Sequence, residues 1–137
     1  ERVDDRVSSL LVAGTGIALT YDDGANTLTV DAAIPSLTTT IETVAGTTYT
    51  VALGDVSKYK ETTNAAAVTI TVDGTTGFSA GDEIFFEQGG AGAITFAAAG
   101  GMTINSRDAV FSTAGQYATA FLKFKSATVA TLSGDIA

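Results

Sequence analysis

The feature that most constrains this chain is a period-two alternation, broken at short intervals by glycine turns. Val68, Ile70 and Val72 alternate with Thr69 and Thr71. Ile94 and Phe96 flank Thr95, and Leu122 and Phe124 alternate with Phe121, Lys123 and Lys125. Apolar residues at every second position line one face of a strand, a spacing that does not suit a helix. Asp73-Gly74, Ala80-Gly81-Asp82, Gly89-Gly90-Ala91-Gly92, Gly100-Gly101, Ala114-Gly115 and Ser133-Gly134 supply the breaks, which read as hairpin turns. Residues 41–137 therefore read as one β domain. Its strands are expected at 49–53, 58–62, 67–72, 83–88, 93–97, 103–105, 110–112, 118–125 and 128–132. Many short strands with glycine turns predict a β-sandwich or an open barrel. Threonine is the β-branched residue that can also face water, which lets a chain with only 16% charged residues stay in solution.

The first 40 residues read differently. Residues 1–12 form the one helical stretch, with Val3, Val7 and Leu10 at the 4–3 spacing of a heptad seam and Gly14 as its stop. A helix this short is marginal alone in water and must pack on something. It can lie against its own domain, or it can be the last turns of an oligomeric coiled coil entering from upstream of Glu1. Residues 16–31 then switch to period two. Ile17, Leu19 and Tyr21, the turn Asp22-Asp23-Gly24-Ala25-Asn26, then Leu28 and Val30 predict a β-hairpin, with Gly24 free to take positive φ. A lone hairpin needs neighbours, and further copies of itself would serve. Ile34-Pro35 and the Thr38-Thr39-Thr40 run mark residues 32–40 as an extended linker. The expected organisation is a helix-plus-hairpin module at 1–31, a linker at 32–40 and a C-terminal β domain at 41–137.

Composition excludes several functions. There is no Cys and no His. That removes disulfides, Cys/His zinc sites, Cys nucleophiles and every Ser-His-Asp arrangement. The net charge is -8 and the pI about 4.1. Nucleic acid and anionic membrane surfaces are therefore poor partners. No apolar run approaches the ~20 residues of a membrane span, so membrane insertion is not expected.

The remaining constellations read as structure before chemistry. Asp22, Asp23, Asn26 and Asp31 lack the spacing and the closing Glu of a calcium loop. Asp82-Glu83 and Glu87 suggest a glycosidase pair. However, Glu83 and Glu87 lie roughly 13 Å apart along a strand, and the chain has no Trp to stack a sugar. The glycine runs lack the Lys-Ser/Thr and the helix of a phosphate loop. Neither an enzyme nor a cofactor is expected. Lys58 with Lys60, and Lys123 with Lys125, read as solvated strand faces or edge protection. Most of the ten Phe and Tyr residues interleaved through residues 49–124 read as core. Phe85-Phe86 is different, because adjacent strand residues face opposite ways. One of the pair must point outward, which suggests a subunit interface.

Two segments resemble bacteriophage tail-fibre and related virion appendage proteins. The first is Val3-Asp-Asp-Arg-Val-Ser-Ser-Leu-Leu-Val-Ala-Gly-Thr-Gly-Ile17 with Leu19-Thr-Tyr-Asp-Asp23 and Asn26-Thr-Leu-Thr-Val30. It is similar to a helix-then-hairpin module that links fibre stalks to distal domains. The second includes Gly54-Asp-Val-Ser-Lys-Tyr59, Val68-Thr-Ile-Thr-Val72, Gly81-Asp-Glu-Ile84, Gly101-Met-Thr-Ile-Asn-Ser106, Gln116-Tyr-Ala-Thr-Ala120 and Leu132-Ser-Gly-Asp-Ile-Ala137. It resembles a β domain found at fibre tips. Thr128-Val-Ala-Thr-Leu132 stands where such domains often carry Trp, and Asp73 where they often carry Pro. The resemblance implies a homotrimer in the virion, with Val3, Val7, Leu10, Ile17, Leu19, Leu28 and Val30 at the oligomer interface. It implies a non-enzymatic distal fibre piece whose partners are itself, other virion proteins and a host surface glycan or outer-membrane component. The alternative is a head-decoration or fibre-connector protein that binds other virion proteins alone. The resemblance carries over no receptor-contact residues.

Overall fold

The computed structural model describes residues 17–22, 24–32 and 39–137. The helix expected over residues 1–12, with Val3, Val7 and Leu10, lies outside them, as does most of the expected linker. The chain divides into two compact units, Glu1–Thr38 and Thr39–Ala137. Apart from two three-residue 3-10 turns, every described regular element is a strand, so the fold is all-β.

In the first unit, β1 (Ile17–Asp22) and β2 (Thr27–Ala32) pair antiparallel, as the sequence predicts. Asp22 Oδ1 accepts a hydrogen bond from the Ala25 N–H at 3.0 Å and holds the turn. Positive φ falls on Asn26 (59°) rather than on Gly24. Asn tolerates this region because its short side chain can bond locally.

The second unit holds two sheets around one core. The strands are β3 (Ile41–Val44), β4 (Thr48–Thr50), β5 (Tyr59–Thr62), β6 (Val68–Asp73), β7 (Glu83–Gln88), β8 (Ile94–Ala99), β9 (Thr103–Asn105), β10 (Thr119–Ser126) and β11 (Val129–Gly134). The larger sheet runs β3-β5-β7-β10-β11-β9 and the smaller runs β4-β6-β8. From β3 to β8 the chain alternates between the sheets, and β3, β5 and β7 are parallel, as are β4, β6 and β8. The chain thus wraps three times around its own core. β10 and β11 then close the larger sheet antiparallel, with β9 parallel to β11 at its far edge.

This topology corrects the reading of the glycine turns. Residues 89–93 connect β7 to β8, which lie in different sheets, so they form an arch between layers and not a hairpin. The arches of successive wraps stack. The Gly90 N–H donates to Thr62 O at 2.8 Å, the Gly92 N–H to Asn64 O at 3.0 Å, and Asn64 Nδ2 to Ala45 O at 2.9 Å. A Cβ on Gly92 would lie 1.9 Å from Ala66 O, and one on Gly90 2.2 Å from Asn64 O. Only glycine permits that approach. Gln88 reinforces the arch from inside, donating to Gly90 O and Ala91 O and accepting from the Thr113 hydroxyl.

The alternation places the core as expected. Val68, Ile70, Val72, Ile84, Phe86, Ile94 and Leu122 are fully buried. Phe86 and Phe96 meet edge-on at 5.1 Å, tying one sheet to the other, while Phe78 stacks on Phe124 at 4.0 Å. Two expectations fail. β3 was not expected as a strand, because Ile41–Val44 has only one buried apolar residue, Val44. Residues 110–112 contribute only an isolated bridge from Ser112 to Thr95.

Candidate functional site

Three places among the described residues bear on function. The first is the hairpin. Its register puts Ile17 opposite Ala32, Leu19 opposite Val30 and Tyr21 opposite Leu28. Directly opposed residues share a face, so the expected interface residues Ile17, Leu19, Leu28 and Val30 lie on one side of the ribbon. Ala18, Thr20, Asp22, Thr27, Thr29 and Asp31 make up the other. Val30 is 58% exposed, and Ile17 and Leu28 are exposed as well, while Leu19 is half-buried.

The second is the outer face of the larger sheet. Register aligns Ile41, Tyr59, Phe85 and Phe121 in one rung across β3, β5, β7 and β10. The Phe85 and Phe121 rings lie 6.1 Å apart. Phe86 is buried while Phe85 is the outward member of the pair, and Ile41 is 67% exposed. Charged residues flank the rung. Lys123 forms an ion pair with Glu83, and the Tyr59 hydroxyl donates to Glu87. Burial, then the Glu87 hydrogen bond, pushes the Tyr59 phenol up to about 12.

The third is a charged cluster that sequence reasoning missed. Lys60 points inward on β5 and is 3% exposed. Its ammonium lies 2.5 Å from Asp55 Oδ1 and 2.5 Å from Glu42 Oε2. It also donates to the Tyr49 hydroxyl at 3.0 Å and sits 4.9 Å from the centre of that ring. The Tyr49 hydroxyl and the Ala52 N–H donate to Asp55. Lys58 pairs with the other oxygen of Glu42. Lys60 is therefore not a solvated lysine, contrary to the reading of Lys58 and Lys60 as one open face. Burial alone would lower the Lys60 pKa, but Asp55, Glu42 and Tyr49 outweigh it and raise it. Burial likewise pushes the Asp55 carboxyl up, and the Ala52 N–H, Lys60 and Tyr49 outweigh that and bring it down. The amine is thus held as ammonium and the acid as carboxylate. Neither is poised for nucleophilic or acid chemistry, and the cluster works as a buried clasp.

The other singled-out residues have structural tasks. Asp82 Oδ2 accepts from the Ser79 N–H at 2.8 Å. Glu83 and Glu87 are occupied by Lys123 and Tyr59. Among the described residues no group of acidic side chains is placed to hold a metal ion. Compared with known proteins, the chain matches no family model, no curated protein and no solved structure.

Proposed function

We propose that this chain is the distal part of a bacteriophage tail fibre. It assembles as a homotrimer in the virion and attaches to a host surface glycan or outer-membrane component without enzymatic activity. The observation that carries this reading is the two-faced hairpin. A two-stranded ribbon with one apolar face is rarely stable in water by itself. Two symmetry mates would cover Ile17, Leu19, Leu28 and Val30, and closed rotational symmetry suits a fibre axis. Three weak sites on one trimer then bind with avidity and need no deep pocket.

The experiment is light scattering over a dilution series, followed by adsorption inhibition with the purified fragment. The expected mass is three times 13.8 kDa, falling to the monomer in Val30→Asp. Inhibition of phage adsorption is expected only from the assembled form. A stable monomer at all dilutions overturns the trimer. A trimer that leaves adsorption untouched favours the second reading, a head-decoration or connector protein that binds other virion proteins. The apolar Ile41–Tyr59–Phe85–Phe121 rung supports that alternative, since such a surface suits a protein partner better than a hydrated sugar.

A further inference from the structure

The two sheets of the wrapped unit have unlike outer faces. On the smaller sheet, register aligns Thr48, Thr69 and Thr95 in one rung and Thr50, Thr71 and Ala97 in the next. In β6 and β8 these positions alternate with the buried Val68, Ile70, Val72, Ile94 and Phe96, so they point outward. That face is threonine and alanine, residues a β surface can leave to water. On the larger sheet the rung Ile41, Tyr59, Phe85 and Phe121 carries three aromatic rings and an aliphatic side chain. Ile41 and Phe85 are exposed, and Tyr59 and Phe121 are half-buried. Folding of the unit gives this rung no covering layer, and apolar surface of this kind marks a site of association.

Charge specifies what covers it. The outward positions of β7 are Glu83, Phe85 and Glu87, and those of β10 are Thr119, Phe121, Lys123 and Lys125. An acidic strand therefore lies beside a basic one, with Glu83 opposite Lys123 and Phe85 opposite Phe121. Rotation about an axis parallel to the strands keeps every residue at its height and exchanges left for right. A copy brought face to face by such a rotation sets Glu83 of one chain against Lys123 of the next, and Phe85 against Phe121. The face is thus complementary to itself in charge, and to no surface of a single sign. Aligned sheets packed in this way sit ~10 Å apart with their side chains interdigitated.

We propose that this face is buried between copies of the chain as a second contact in the trimer, with Phe85 and Phe121 at its centre and Glu83 pairing with Lys123 from copy to copy. The proposal rests on the trimer reading for its three-fold symmetry, but it uses different residues from the hairpin. The protein partner of the apolar rung is then the chain itself.

The test uses the full chain. Isotope-labelled copies co-assembled with unlabelled ones are expected to show nuclear Overhauser contacts from the Phe85 and Phe121 rings to another copy, and none from Thr69, Thr71 or Thr95. In light scattering, Phe85→Ser should raise the concentration at which the trimer dissociates by about tenfold or more, the loss of a central aromatic anchor. Its circular dichroism should remain that of the folded chain. Lys123→Glu should also weaken assembly, and adding Glu83→Lys, which exchanges the two charges, should restore it. Thr71→Glu on the smaller sheet should leave assembly unchanged. A wild-type trimer with no contact between copies at Phe85 and no response to Phe85→Ser overturns the proposal and leaves the hairpin trimer standing. So does a Lys123→Glu defect that Glu83→Lys deepens. An assembly that survives Val30→Asp and is lost in Phe85→Ser keeps the face and overturns the hairpin trimer. A monomer at every dilution overturns both.

Discussion

The hairpin and the wrapped β unit use the same alternation and put it to opposite ends. In β6, every apolar position of Val68, Ile70 and Val72 is fully buried by the unit's own sheets. In β2, Leu28 and Val30 follow the same period, yet every residue of the strand is exposed. Both strands interleave apolar residues with threonine. The difference is whether a second layer exists. The wrapped unit supplies its own, because successive strands alternate between two sheets. Period two shows which residues share a face, and says nothing of whether the covering layer comes from the same chain.

The largest test of the contrast is a matched pair of substitutions. Phe86→Ala empties the centre of the wrapped unit and is expected to cost ~3–5 kcal/mol in denaturant unfolding. It should leave the assembly state unchanged at temperatures where the unit is folded. Val30→Asp is expected to change unfolding of the wrapped unit by less than ~0.5 kcal/mol while abolishing the proposed trimer in light scattering. If Val30→Asp unfolds both units together, the two are not separable and the comparison collapses.

The clasp is next. Lys60→Met leaves Asp55 buried beside Tyr49 without its cation, and breaking a buried pair costs ~3–5 kcal/mol. The pH dependence distinguishes this from lost packing. Asp55 and Glu42 are held below their ordinary values of 3.8 and 4.5. Their contribution is therefore complete above the ordinary carboxylate range and is lost as pH falls through the lowered values. Lys60 is held above its ordinary 10.5. Its contribution is complete below that value and is lost as pH rises through the raised one. Wild-type stability should fall at both extremes, and Lys60→Met should flatten both limbs. A variant that loses stability equally at every pH would reduce the clasp to a packing contact.

What was legible in the sequence follows the same division. Strands at Glu83–Gln88 and Thr103–Asn105 were readable to the residue, and several others to within one or two, because glycine turns mark where they start or stop: Gly81-Asp82 and Gly89-Gly90 bracket the first, and Gly100-Gly101 precedes the second. The parallel wrapping was not legible. Gly89-Gly90-Ala91-Gly92 has the composition of a hairpin turn, and only the stacking of one arch on the next shows why glycine is needed. The clasp was hidden because Glu42, Tyr49, Asp55 and Lys60 are scattered over four segments. On β5 the inward positions are Lys60 and Thr62, so the strand carries no apolar phase. Phe85 as the outward aromatic could be argued from adjacency, although which of the two faced out could not.

The arch glycines sharpen the distinction at a smaller scale. Gly92→Ala drives a methyl group into the Ala66 carbonyl and is expected to cost ~1–3 kcal/mol, the range for overpacking. Gly54→Ala meets nothing within 4 Å and should change stability by less than ~0.5 kcal/mol. Both are read from thermal unfolding. Equal effects would mean that the arches do not depend on close stacking and that the glycines reflect turn conformation alone.

The smallest effect is spectroscopic and concerns the outward face of the same sheet. Burial and the Glu87 carboxylate together raise the Tyr59 phenol to about 12. A raised value means that the contribution of Tyr59 is complete below its ordinary value of 10.0 and is lost as pH rises toward 12. Glu87→Gln keeps the side-chain shape and removes the charge. An ultraviolet titration should therefore show the Tyr59 step moving down, with little change in stability at neutral pH, since partly exposed polar pairs contribute ~1 kcal/mol or less. If the step stays near 12, burial alone holds it there. The rung through Ile41, Tyr59, Phe85 and Phe121 is then more enclosed than its flanking charges imply, which would strengthen the case for a protein partner on that face.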